Sequence, residues 1–337
     1  MQWLNALSRQ FLADGYLETG ETPEARIRHI AETAEKYLGI VGYADKFYDY
    51  MARGFYSLAS PIWSNYGKQR GEPVSCFGSS LADNIGDILF TQAEVGTMSK
   101  LGGGTSGYFG RLRHRGAPIT NNGKSSGAVH FMQLFETMVD VVSQGSVRRG
   151  RFAPYLPISH PDADEFLDIG SEGNGIQDLT HGITVDDAWL QAMIEGDHDK
   201  RTLWAKVLRR RVELGYPYIM FTDNANKGTV DVYRDKQLPI VASNLCTEIM
   251  LPSDEQHSFV CVLSSMNLLH YDDWKDTDAV ETLVYFLDTV VTEFIHKLEA
   301  YRDSADLDDQ RVFLFMEKTY RFAKAHRALG LGVLGWH

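Results

Sequence analysis

The stretch KQLPIVASNLCTEIMLPSDEQHSFVCVLSSMNLL, residues 236–269, changes texture halfway along. In its first half Pro239 and Pro252 flank Cys246. Proline fixes φ and removes a backbone donor, so the cysteine is expected on a loop rather than inside a sheet. The second half, SFVCVLSSMNLL, is a short apolar run that reads as a buried strand through Cys261. Within the loop, Asn244, Cys246 and Glu248 occupy alternate positions, so in an extended segment an amide, a thiol and a carboxylate share one face. A neighbouring carboxylate disfavours a thiolate, which makes this a poor cysteine-nucleophile site and a better one for hydrogen-atom chemistry. On spacing alone, a buried structural cysteine with two satisfied polar neighbours is the simpler reading.

Moving outward, GYPYIMFTD (215–223) reads as another buried strand closed by turn residues. The segments VHFMQLFETMVDVVSQ (129–144) and AVETLVYFLDTVVTEFIHKLEAY (279–301) have helical apolar periodicity. From Ser60 onward, short apolar runs alternate with helices and Gly-rich loops, which predicts an α/β architecture. The first 58 or so residues read as helical instead. Thr22 and Pro23 open one helix and Gly39 stops it, and aromatic residues recur at helical spacing through YADKFYDYMARGFYSLA (43–59) as core.

Composition narrows the function. The 337 residues include 44% apolar ones, enough for a substantial core, and no run of about 18 apolar residues that could span a membrane. The N-terminus is polar and mixed in charge, so no signal peptide is expected and the cytoplasm is the default location. A formal charge of −12 argues against a nucleic-acid partner. Only Cys76, Cys246 and Cys261 carry thiols, without a CxxC pair or a Cys/His cluster at zinc spacing, so neither a disulfide framework nor a metal site is expected.

SNLCTEIMLP followed fifteen residues after its cysteine by Cys261 resembles the active-site loop and following strand of ribonucleotide reductase large subunits. The resemblance extends upstream through Ser60-Pro61, Ser75-Cys76, Asp83, GGGTSGYFGRLRHRGAPI (102–119) and VSQGSVRRG (142–150), and downstream to RALGLGVLGW (327–336). It implies a helical N-terminal domain, residues 1–70, followed over 71–337 by the first part of a ten-stranded α/β barrel with effector loops and the cysteine loop. It also implies that the rest of the barrel, a tyrosine pair relaying a radical and a mobile dithiol tail belong to a C-terminal remainder, whether through a split gene or a truncated sequence. No ATP-cone domain is recognisable ahead of the helices.

Carried over residue by residue, the resemblance makes Cys246 the thiyl radical that takes the ribose 3′-hydrogen, Glu248 the base on the 3′-hydroxyl, and Asn244 the hydrogen-bonding anchor of the 2′/3′ region. Cys76 and Cys261 become the redox pair that reduces the 2′ position, forming a disulfide each turnover. Ser60, Ser75 and the glycines 102–104, Gly103 and Gly104 in particular, are implied substrate contacts. Asp83, Asn84, Arg113 and Ile119 are implied at the first specificity loop, with Gln144 and Arg148 at the second; Thr120 departs from the pattern, where an arginine is common. Without the resemblance, Arg148, Arg149 and Arg151, like Arg209–Arg211, read as solvated basic faces.

No side chain here can oxidise a thiol unaided, so the radical is expected from elsewhere: a metal-containing small subunit in class I relatives, or adenosylcobalamin in class II. SNLCTEI is closer to class I. The remaining implied partners are the C-terminal remainder, thioredoxin or glutaredoxin as reductant, dNTP or ATP effectors, and a second copy of the chain, with ribonucleoside diphosphates as substrates. Two other functional classes are open to these residues: a non-catalytic nucleotide-binding and dimerisation module, and a thiol redox protein using Cys76 and Cys261.

Overall fold

A computed structural model describes residues 1–69, 71–145 and 149–337. The helices α1 (Ala6–Ala13), α2 (Pro23–Leu38) and α3 (Tyr43–Arg53) come first. Helix α2 begins where the sequence predicts: Thr22 Oγ1 accepts from the Ala25 amide, Pro23 fills the first turn, and Gly39, at φ +66°, closes it in the left-handed region. A short helix, α4 (Ser60–Asn65), follows. Its C-terminal turn is tied down by the fully buried Arg26, which donates to the carbonyls of Ile62, Trp63 and Tyr66.

Among the described residues eight strands follow one another as β1 (Tyr56–Leu58), β2 (Cys76–Ser80), β3 (Gly104–Tyr108), β4 (Phe152–Pro157), β5 (Gly182–Val185), β6 (Tyr218–Phe221), β7 (Phe259–Asn267) and β8 (Leu329–Leu334). They form one sheet in the order β1-β7-β2-β3-β4-β5-β6, with β8 also on β7. Strands β2 to β6 run parallel to one another, and helices α5 (Ile85–Lys100) and α6 (Ala128–Val141) cross over between them. The direction then reverses: β7 is antiparallel to β1 and β2 and parallel to β8. This open sheet is the α/β first part of a barrel that the sequence implies.

The aromatics of α3 and β1 do more than fill space. Phe47 stacks on Phe286 at 4.4 Å, while the hydroxyls of Tyr43 and Tyr56 donate to the carbonyls of Thr282 and Ala279. The N-terminal helices therefore share one core with the long helix Ala279–Asp303 and with β7. A second core lies under α5 and α6, where Phe135 stacks on Phe152 at 4.8 Å. The expected buried strand at 218–221 is an edge instead: Met220 is buried, but Phe221 is 38% exposed, and among the described residues no strand pairs with the outer side of β6. Among the described residues no helix is long and apolar enough to cross a membrane.

Candidate active site

The two strand cysteines meet at the seam where the sheet reverses. Cys76 opens β2 and pairs in register with Cys261 of β7 on one side and with Gly104 of β3 on the other. Both cysteines are buried thiols. Burial, with Cys76 and Glu248 as close electronegative neighbours, pushes the Cys261 thiol up to about 12. Beside them Ser75 is buried with its hydroxyl unpaired, while its carbonyl accepts from the Gly104 amide. Gly103 must be glycine, since a Cβ there would lie 2.1 Å from the Phe77 ring.

The third cysteine reaches this seam on the irregular segment between β6 and β7. Asn244, fully buried, ties it down: its Nδ2 donates to Cys76 Sγ at 3.3 Å, and its Oδ1 accepts from the Glu248 and Ile249 amides at 3.0 and 3.1 Å. The segment is not extended here, so Asn244, Cys246 and Glu248 do not share a face by alternation. Leu245 and Cys246 form a turn and Thr247 adopts φ +68°, which leaves Asn244 inside and Cys246 and Glu248 exposed. Glu248 still adds to the upward shifts of the Cys261 thiol and the Tyr218 hydroxyl, and Cys246 to that of Tyr218.

Cys246 borders a cleft of about 510 Å³ lined also by Arg151, His181, Tyr216 and Tyr218. Burial pushes the Tyr218 hydroxyl up to about 12, with Tyr216, Cys246 and Glu248 adding to the shift, and it drives the His181 imidazole down to about 4. Both groups are therefore neutral at pH 7. Sequence reasoning missed Tyr155, Tyr218 and His181; the alternation of β4 shows only that Tyr155 points to one face, not what it meets there.

The implied effector residues form a separate patch. Asp83 accepts from the Arg113 amide and side chain at 3.1 and 2.7 Å, Arg113 also donates to the Pro118 carbonyl, and Asn84 caps α5 through the Asp87 amide. Ile119 adjoins them in a turn closed onto Gly123. Gln144 lies elsewhere, donating to Asn65 Oδ1 at 3.1 Å and packing against Gly102. Arg148 lies outside the described residues. Ser60 is exposed on α4, with Tyr16 as its hydrogen-bond neighbour rather than a residue of the cysteine cluster.

Residues 2–71 match the all-alpha domain of ribonucleotide reductase, and residues 74–200 and 192–337 match its barrel domain. The chain is 33% identical over 323 residues to a candidate ribonucleoside-diphosphate reductase large subunit of Frog virus 3 (isolate Goorha), covering 90% of this chain and 54% of that one. It is 26% identical over 348 residues to the ribonucleoside-diphosphate reductase subunit alpha of Chlamydia trachomatis serovar D, covering 87% of this chain and 31% of that one. The solved class Id ribonucleotide reductase alpha subunit of Actinobacillus ureae superposes over the whole chain with a TM-score of 0.92 at 56% identity, the match covering 61% of that subunit. The chain thus spans between about a third and three fifths of the length of these relatives, and with both domains matched it belongs to the ribonucleotide reductase large-subunit family.

Proposed function

We propose that the chain carries the reducing and hydrogen-abstracting cysteines of a class I ribonucleotide reductase and acts in the cytoplasm on ribonucleoside diphosphates. The observation that carries this reading is the register pairing of Cys76 with Cys261, with the Asn244 amide on Cys76 and the Cys246 turn directly beyond it. A radical delivered from a metal-containing small subunit makes Cys246 the group that takes the 3′-hydrogen, with Glu248 accepting the 3′-hydroxyl proton. Two thiols become one disulfide as the 2′-hydroxyl leaves as water, so the substrate gains two electrons from Cys76 and Cys261 and the atoms balance. Thioredoxin or glutaredoxin then restores the thiols. The unpaired Ser75 hydroxyl and the side-chain-free edge at Gly103 and Gly104 suit a polyhydroxylated, anionic substrate.

In the same reading, the patch of Asp83, Asn84, Arg113 and Ile119 holds a dNTP or ATP effector, Gln144 relays its identity toward the substrate-side glycines, and the working enzyme is a homodimer completed by the remainder of the large subunit. The identity of 56% to a class Id alpha subunit favours the small-subunit radical over adenosylcobalamin. In the enzyme assembled with that remainder and its radical partner, Cys246→Ser is expected to abolish nucleotide reduction while effector binding persists. Undiminished reduction by that variant would refute the reading.

A further inference from the structure

Tyr155 stands in the middle of β4 with no exposed surface, and its hydroxyl lies 2.7 Å from both the Asn244 carbonyl and Thr247 Oγ1. A phenol has one proton, and here it is donated to Asn244. The Thr247 hydroxyl must therefore be the donor to Tyr155 Oη. Burial holds the phenol well above the ordinary tyrosine range, so that proton stays in place. Space for the ring is provided by the next strand: a Cβ on Gly182 of β5 would lie 2.3 Å from it.

What the two bonds hold is unusual. Thr247 sits at φ +68°, a region that β-branched residues avoid because Cβ crowds the backbone. It lies between Cys246 and Glu248, so a return of residue 247 to an ordinary φ would swing both flanking side chains relative to Cys76 and Cys261. On the far side the Asn244 amide oxygen already fixes the Glu248 and Ile249 amides. Tyr155 fixes the near side.

We propose that Tyr155 and Thr247 form a latch that keeps residue 247 left-handed and thereby holds the Cys246 thiol and the Glu248 carboxylate over the Cys76–Cys261 pair. Tyr155 is then a positioning residue, acting through Thr247 and Asn244 rather than on substrate. Its importance for turnover rests on Cys246 being the reacting thiol, whereas its effect on the loop does not.

Hydrogen exchange of the Glu248 and Ile249 amides tests the latch without turnover. Tyr155→Phe should accelerate both by about tenfold, while the Ala279–Asp303 helix exchanges as in the parent. Thr247→Val, which leaves the β4 core untouched, should do the same and so reads the latch even if Tyr155→Phe fails to fold. Asparagine enters the left-handed region readily, so Thr247→Asn in the Tyr155→Phe background should return exchange to within about threefold of the parent. Unchanged exchange in Tyr155→Phe or Thr247→Val, or no recovery with Thr247→Asn, would overturn the latch. The function reading stands or falls separately on Cys246→Ser turnover.

Discussion

Cys76 and Cys261 are 185 residues apart in the chain and directly opposite each other across the antiparallel β2–β7 pair. Directly opposed Cα atoms in such a pair lie about 4.5–5.5 Å apart, within the range a disulfide spans without backbone movement. The sheet reversal at β7 is what creates this meeting, since the parallel strands β2 to β6 would never bring those two positions face to face.

This geometry predicts selective thiol chemistry. Iodoacetamide at pH 8 should modify exposed Cys246 at least about tenfold faster than Cys261, which is buried and titrates far above that pH. A mild disulfide-forming oxidant should instead link Cys76 to Cys261, as read by peptide mapping. Preferential linkage of Cys246 to either partner would contradict the observed register.

Asn244 makes a different kind of prediction. Its side chain serves Cys76 Sγ and two backbone amides from a fully buried position. Asn244→Ala leaves those amides unpaired and should cost about 2 kcal/mol in chemical denaturation. A change below about 0.5 kcal/mol would mean that water replaces the amide freely.

Arg113 should separate binding from stability. Its ion pair with Asp83 is about one-third exposed on each side, so Arg113→Ala should change stability by less than about 1 kcal/mol. Calorimetric titration with dTTP should nonetheless lose saturable binding in the variant. Equal binding by parent and variant would remove Arg113 from the effector site.

The buried carboxyls predict the pH dependence of stability. Desolvation raises Glu72 to about 8 and Glu94 to about 7 from the ordinary 4.5, only partly opposed by Lys297 and Lys318. Each group binds its proton more tightly folded than unfolded. Its penalty is therefore absent below pH 4.5, grows as pH rises toward the folded value, and is complete above it. Glu72→Gln should raise Tm at pH 8.5 and change it little at pH 4.5, measured by thermal denaturation across about four pH units. A shift equal at both ends would show that the Glu72 carboxyl does not titrate as described.

Local features were readable from sequence because their causes are local. Thr22, Pro23 and Gly39 bound α2 through their own side chains and φ preferences, and the two prolines keep the Cys246 segment out of the sheet. The cysteine pairing was accessible only through family resemblance, since register between strands so distant in sequence leaves no trace in either segment. The turn at Cys246 escaped for a related reason. Alternation suggests an extended segment, whereas the Thr247 amide turns back onto the Asn244 carbonyl, which also accepts from the hydroxyl of Tyr155, 89 residues away. Arg210 is less solvated than its run suggests, since it pairs with Asp168, whereas Arg209 and Arg211 are exposed as read.

In the proposed reaction Cys76 and Cys261 supply the electrons for a reduction initiated at Cys246. The most direct measurement supplies a pre-reduced, fully assembled enzyme with ribonucleoside diphosphate and radical partner but no external reductant, then maps the thiols. Deoxynucleotide appearing together with a Cys76–Cys261 disulfide, and neither appearing in Cys246→Ser, is the expected result; product formed while both strand cysteines remain thiols, or formed equally well by Cys76→Ser, would contradict it.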